Sequence, residues 1–212
     1  MGKINEGILG GFSGKVGVVV GSLWRDIDTM RALARPRTTP ASPAELLQQA
    51  KLALMSSFQN PMRALLDFGF RDFAKKKTGT NAAQSYNMKN ALIVNEDGPG
   101  IVCEEVLVCR GDLPNVKLAS ARSTEKGLVH FEWQNNAGLG KANDADKAIL
   151  VVLCHEMGSC AYTLEGGFRR DGRADLAVSG FSGCEVQTWL AFLSKDKKDI
   201  ANSLFTGTFV VA

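Results

Sequence analysis

The sequence has 212 residues, 45% hydrophobic and 22% charged, which is typical of a soluble globular protein with one large or two small domains. No stretch approaches eighteen uninterrupted apolar residues, so a membrane-spanning helix is excluded. The net charge of +3 conceals a division: residues 1–92 contain 13 Lys/Arg and 6 Asp/Glu, whereas residues 93–212 contain 12 and 16. This division predicts a basic module that faces an anionic partner or an acidic neighbour. A chance difference between solvated faces is the alternative.

The cysteines and histidines indicate neither a metal site nor a redox motif. Five cysteines form no CxxC pair, and His130 and His155 lack metal-finger spacing. We expect buried, reduced thiols, with a disulfide across a hairpin as the alternative. Glycine and lysine interrupt the apolar residues near the N-terminus, so we expect no secretion signal. The protein is therefore expected to be located in the cytoplasm or in a virion or similar particle.

The chain opens with a glycine-rich segment. Residues 15–24 contain a run of valines between Gly14 and Gly21 and are predicted to form a strand. Residues 3–9 are predicted to pair with this strand as a β-hairpin, because glycine and serine between them supply turn residues. Repeated glycines weaken an ordinary strand unless another backbone approaches closely, which favours contact with a partner.

A basic arm is predicted next. Arginines recur up to residue 37, and Pro36 and Pro40 favour an extended backbone. Such an arm binds phosphates, an acidic groove or a neighbouring subunit, and a solvated linker is the alternative. The candidate contact residues for another subunit or for nucleic acid are Lys15, Trp24, Arg25, Arg31, Arg35 and Arg37.

Three short helices are predicted after the arm. The first begins at Ser42, because Ser42-Pro43-Ala44-Glu45 forms a capping box with proline at the first helical position. The second covers residues 61–74, and the third covers residues 80–92 with Thr80 or Asn81 as its cap. Residues 95–100 contain the strongest linker signal, so we predict two domains, residues 1–94 and residues 101–212.

Beyond this linker the hydrophobic pattern alternates with the period of a strand. Strands are predicted at residues 102–109, 117–122, 128–134, 148–154, 160–164, 174–178, 185–193 and 203–211. Their spacing predicts an antiparallel β-sandwich of the immunoglobulin or fibronectin type III kind. The complete chain is therefore predicted to be an α+β protein.

The chain resembles a family of uncharacterised bacterial proteins. The resemblance rests on the opening motif GGFSGKVGVVVG, on SYNMKNA at residues 85–91 and on DKAILVV at residues 146–152. A looser likeness to small phage-encoded proteins rests on the Gly-Lys-Val-Gly segment and the arginines that follow it. Neither resemblance implies an activity, a cofactor or a set of site residues.

These features lead to the hypothesis of a structural protein without enzymatic activity, cofactor or metal. We expect it to self-assemble into a homo-oligomer, as a component of a phage capsid, another virion or a mobile-element particle. Nucleic acid is a further candidate partner of the basic half. The alternatives are a β-sandwich module that binds a protein or glycan at the cell surface, and a monomeric nucleic-acid-binding protein.

Overall fold

A computed structural model describes residues 3–4, 10–24, 27–36, 38–96 and 98–212 of the protein. The chain divides into two units, Met1–Ser42 and Pro43–Ala212. Among the described residues, no helix combines the length and the apolar character that a membrane crossing requires.

The first unit is a four-stranded antiparallel sheet. Its strands are β1 (Lys3–Ile4), β2 (Phe12–Val16), β3 (Val19–Trp24) and β4 (Ile27–Ala32), in the spatial order β1-β2-β3-β4. The predicted N-terminal hairpin is confirmed, since β1 pairs with β2. The prediction of one strand over residues 15–24 is wrong, because Gly17, with a φ of 59°, reverses the chain between β2 and β3.

The second unit begins with three helices, α1 (Pro43–Gln59), α2 (Arg63–Gly69) and α3 (Gly79–Asn90), with short 3-10 helices at Asn60–Met62 and Arg71–Phe73. Helix α1 starts at Pro43, where the capping box predicted it. Helix α3 starts one residue before the predicted range, and its cap is Thr78, whose hydroxyl accepts a hydrogen bond of 3.1 Å from the Asn81 backbone. Helices α2 and α3 have only 7 and 12 residues, so burial of one face stabilises them more than intrinsic propensity does.

The predicted linker at residues 95–100 contains the ends of two paired strands, and its Asp97 lies outside the described residues. Strands β5 (Leu92–Asn95) and β6 (Gly98–Ile101) pair antiparallel, and Gly98 adopts a φ of 122°. Glycine and proline are common both in linkers and beside paired strands, so the local sequence alone does not distinguish the two.

The predicted strand over residues 102–109 is wrong. Cys103–Glu105 is a 3-10 helix, and the following residues are irregular. The buried Asn87 exchanges two hydrogen bonds of 3.0 Å with the Leu107 backbone, and the Ser203 hydroxyl accepts from the Val108 backbone at 2.9 Å. Side chains therefore satisfy the polar groups that a neighbouring strand would otherwise have paired.

The remaining seven strands form a β-sandwich, as predicted. They are β7 (Ala119–Arg122), β8 (Leu128–Trp133), β9 (Lys147–Cys154), β10 (Ser159–Thr163), β11 (Arg173–Ala177), β12 (Glu185–Leu193) and β13 (Leu204–Val210). One sheet has the order β11-β8-β7 and the other the order β10-β9-β12-β13. The first, second and fifth strands thus share one sheet, which is the strand distribution of a fibronectin type III domain.

Two hydrophobic cores lie on opposite faces of the sheet β10-β9-β12-β13. Val152 and Phe192 belong to the core shared with the sheet β11-β8-β7, whereas Val151 and Trp189 belong to the core shared with the helices. Strand β9 is consequently buried on both faces, which explains its unbroken apolar sequence. The predicted domain boundary at residues 95–100 falls inside the second unit, between elements that share the helical core.

Candidate interaction surface

The sheet of the first unit places predicted contact residues together on one face. On the central strand β3, Val20 is paired with Lys15 of β2 on one side and with Arg31 of β4 on the other. Trp24 follows four positions after Val20 on the same strand. Paired residues and residues at even spacing share a face of a sheet. We call Lys15, Trp24 and Arg31 the basic face. The α-carbons of Lys15 and Arg31 are separated by two strand spacings, about 10 Å.

The opposite face of this sheet is mainly apolar. It contains Phe12, Val16, Leu23 and Met30, which we call the apolar face, together with one carboxylate, Asp28, which is paired with Leu23. Val16 is 50% exposed, Leu23 60% and Met30 70%, so large hydrophobic side chains face solvent. The Phe12 ring covers Gly21, where an added Cβ would lie 2.6 Å from two ring carbons. Glycine at position 21 is therefore required for this close approach.

This sheet has almost no core of its own. Among its described residues from Gly10 to Ser42, Gly21 alone is buried. A small sheet gains stability by burying one face against another element, since isolated strands are marginal in water. The apolar face is thus the surface through which this sheet can gain a core.

Strand β4 is the edge of the same sheet. It pairs with β3 and has no second neighbour in the described sheet. An edge strand presents backbone N–H and C=O groups that can pair with a further strand. The edge and the apolar face together can bind an extended, apolar segment.

Of the four predicted arginines of the arm, the structure describes two, Arg31 and Arg35. Arg31 belongs to β4, so part of the predicted extended arm is a strand paired within the chain. Arg35 is exposed and follows the end of β4. Arg25 and Arg37 lie outside the described residues. Sequence reasoning missed Val16, Leu23 and Met30 as surface residues. The signal was present, because dividing residues 12–32 into three strands aligns these side chains on one face.

Ionisable residues on the outer face of the sheet β11-β8-β7 form cross-strand pairs. His130 lies on the face of β8 opposite Val129 and Phe131, as predicted, and its Nδ1 is 2.7 Å from Asp175 Oδ1. This pair and the Arg122–Glu132 pair line an open groove on the outer face of the sheet β11-β8-β7. They are cross-strand partners of the kind that stabilises sheet surfaces. Within the described ranges, no group of three His, Cys, Asp or Glu side chains is placed to hold a metal.

The thiols do not form disulfides in this structure. All five cysteines are free, and Cys109 and Cys154 are fully buried. Burial raises the pKa of both Cys109 and Cys160 to about 12. These thiols are therefore protonated at neutral pH, which makes them poor nucleophiles.

A model of a protein family described as a family of unknown function, DUF6266, matches residues 11–207. The chain belongs to this family. The match includes both units, and Lys15, Trp24 and Arg31 lie inside it. Searches of curated proteins and of solved structures found no match. The DUF6266 match confirms the predicted membership of a family without an assigned function.

Proposed function

We propose that this DUF6266 protein is a non-enzymatic structural protein that self-assembles through its N-terminal sheet. The observation that carries the proposal is the apolar face, where Val16, Leu23 and Met30 are 50 to 70% exposed on a sheet with almost no core. Contiguous exposed apolar side chains mark interaction sites on folded proteins. Burial of these side chains in an interface would supply the stabilisation that the sheet lacks by itself.

The proposed occupant of this surface is a second copy of the chain. Two copies of the same sheet can pack their apolar faces against each other, or pair their β4 edges to form one continuous sheet with a shared apolar side. Such self-complementarity is the property of a twofold-symmetric interface. The first contact would bury the apolar face, and the second, strand addition at the β4 edge, would supply backbone hydrogen bonds.

The distribution of charge on the sheet also favours contact between two copies through their apolar faces. Lys15 and Arg31 lie on the face opposite Leu23 and Met30, and all four are exposed. Two basic faces would repel each other, whereas two apolar faces attract. The proposed interface therefore leaves the basic face free for an anionic neighbour or for nucleic acid. A component of a phage capsid, another virion or a mobile-element particle combines these properties, and this is the role we propose.

The experiment compares Leu23→Asp with Leu118→Asp. Both leucines are highly exposed, at 60% and 67%, but Leu118 lies in the second unit. We expect the wild-type protein and Leu118→Asp to form oligomers in light scattering after size exclusion. Leu23→Asp should be monomeric or dissociate at least tenfold more readily, because a charge buried in an apolar interface is costly.

A second pair of variants repeats the comparison with a different residue. Met30→Asp should weaken assembly as Leu23→Asp does, and Met157→Asp should not, although Met157 is also exposed. A wild-type protein that is monomeric at high concentration, with and without nucleic acid, would contradict the proposal. Equal loss of assembly in all four variants would contradict the assignment of the interface to the apolar face.

A further inference from the structure

A second surface feature, a cavity of about 380 Å³ beside α3, lies entirely within the second unit. Three cations line it: Lys77 before α3, Lys89 in the last turn of α3, and Arg110 from the irregular segment that follows β6. The lining contains no carboxylate. We call this cavity the cationic pocket. Its volume lies in the range of small-molecule binding sites.

Arg110 is held in place in this pocket. Its backbone N–H donates a hydrogen bond of 3.0 Å to the Gly69 carbonyl. Its guanidinium carbon lies 4.1 Å from the centre of the Phe73 ring and 4.6 Å from that of the Tyr86 ring. Stacking on aromatic rings restricts a guanidinium while its in-plane N–H groups keep their capacity to donate hydrogen bonds.

No carboxylate of the described residues neutralises the positive charge of the pocket. Among the described residues, no carboxylate lies within ion-pair distance of Lys77, Lys89 or Arg110. The carboxylate of Asp72, near Phe73 in the chain, is 3.9 Å from Arg71 instead. Three like charges around one cavity repel one another, and an anion between them would remove that repulsion.

We propose that the cationic pocket binds a phosphate-bearing small anion. Arg110 is suited to hold two phosphate oxygens with its planar fork of N–H donors, and Lys77 and Lys89 are suited to act as point charges on the same group. Ser85 and Tyr86 add hydroxyl groups to the lining. A multiply charged phosphate matches three cations better than a single carboxylate does. All lining residues of the pocket belong to the second unit and the apolar face to the first, so the proposal does not depend on self-assembly.

The test is a calorimetric titration of the full-length protein with inorganic pyrophosphate at low ionic strength. We expect one binding event per chain, and an affinity about tenfold weaker in Lys89→Gln, because one charge-assisted contact contributes about that factor. Arg110→Lys keeps the charge but loses the planar fork, and it should also weaken binding about tenfold. Lys126→Gln removes the same charge from an exposed position outside the pocket and should bind as wild type does.

A parallel titration with AMP distinguishes two sources of the phosphate. Equal affinity for AMP and pyrophosphate would assign recognition to the phosphate alone, and tighter AMP binding would assign it to a nucleotide. Because Lys89 is exposed, Lys89→Gln should fold, and circular dichroism would verify this. The proposal is overturned if neither probe binds at millimolar concentration. It is also overturned if Lys126→Gln weakens binding as much as Lys89→Gln does.

Discussion

Cys109 illustrates how burial controls a single residue. It has no exposed surface and lies in the core that the helices share with the sheet β10-β9-β12-β13. Removal from water raises its pKa from 9.0 to about 12, and the nearby positive charge of Arg71 opposes this by a smaller amount. The thiol therefore stays protonated in the folded protein at pH values where an unfolded chain would ionise it.

This raised pKa predicts a loss of stability at alkaline pH. Between pH 9 and pH 12 the unfolded state releases the Cys109 proton and the folded state retains it, so the free energy of unfolding falls as pH rises. At pH 10 the loss from this thiol should be about 1.4 kcal/mol. Denaturant unfolding of wild type and Cys109→Ala at pH 7.5 and pH 10 would measure it. The stability difference between the two proteins should shrink by that amount, and a constant difference would contradict the prediction.

At the scale of elements, one buried ion pair connects three loops of the sandwich. Arg169 is fully buried, and its guanidinium donates to Asp146 at 3.2 Å, to the Asn136 side chain at 2.6 Å and to the Pro114 carbonyl at 3.0 Å. It also stacks on the Phe192 ring at 4.0 Å. The sequence around Arg169 resembles a solvated basic turn, and only the packing of distant loops distinguishes Arg169 from its exposed neighbour Arg170.

We expect Arg169→Met to destabilise the second unit by about 3–5 kcal/mol, because it leaves the Asp146 carboxylate buried without its partner. Arg170→Met is the matched control, since the Arg170 side chain is 60% exposed. Its effect should stay within about 0.5 kcal/mol. Thermal unfolding of both variants provides the measurement. Similar melting temperatures for the two variants would show that the buried network does not contribute as the geometry indicates.

The strands of the sandwich show which elements local sequence predicts well. Residues 185–193 alternate in a way that predicts β12 with its observed bounds, and β9 was predicted within one residue. The segment at residues 102–109 is equally apolar, yet it is irregular because Asn87 and Ser203 bind its backbone. Hydrogen-bond partners so distant in sequence leave no trace in the local hydrophobic pattern.

At the scale of the whole molecule, the basic face offers a second surface, opposite the apolar face. Lys15 and Arg31 are exposed, and Trp24 on the same face offers an aromatic ring. Basic residues combined with an aromatic platform are typical of surfaces that bind single-stranded nucleic acid. Because this face is opposite the proposed interface, both interactions are compatible.

This arrangement predicts salt-dependent binding to single-stranded DNA. The double variant Lys15→Gln/Arg31→Gln should reduce the dependence of log K on log salt by about 1.4, since two phosphate contacts are lost. Fluorescence anisotropy with a labelled oligonucleotide, at several salt concentrations, would measure the slope. Lys126→Gln/Lys141→Gln controls for the loss of two charges elsewhere on the surface. An absence of binding at low salt would leave the sheet as a contact between copies alone.

By itself, the sequence determined the α+β class, the N-terminal hairpin, the start of α1 at Pro43 and the strands of the sandwich. Each of these depends on periodicity, capping or turn residues within a short segment, where neighbouring side chains control the backbone. Only the tertiary structure decided that β2 and β3 are separate strands with an apolar face, and that Lys77, Lys89 and Arg110 meet at one cavity. Those features arise from residues that strand pairing and helix packing bring together.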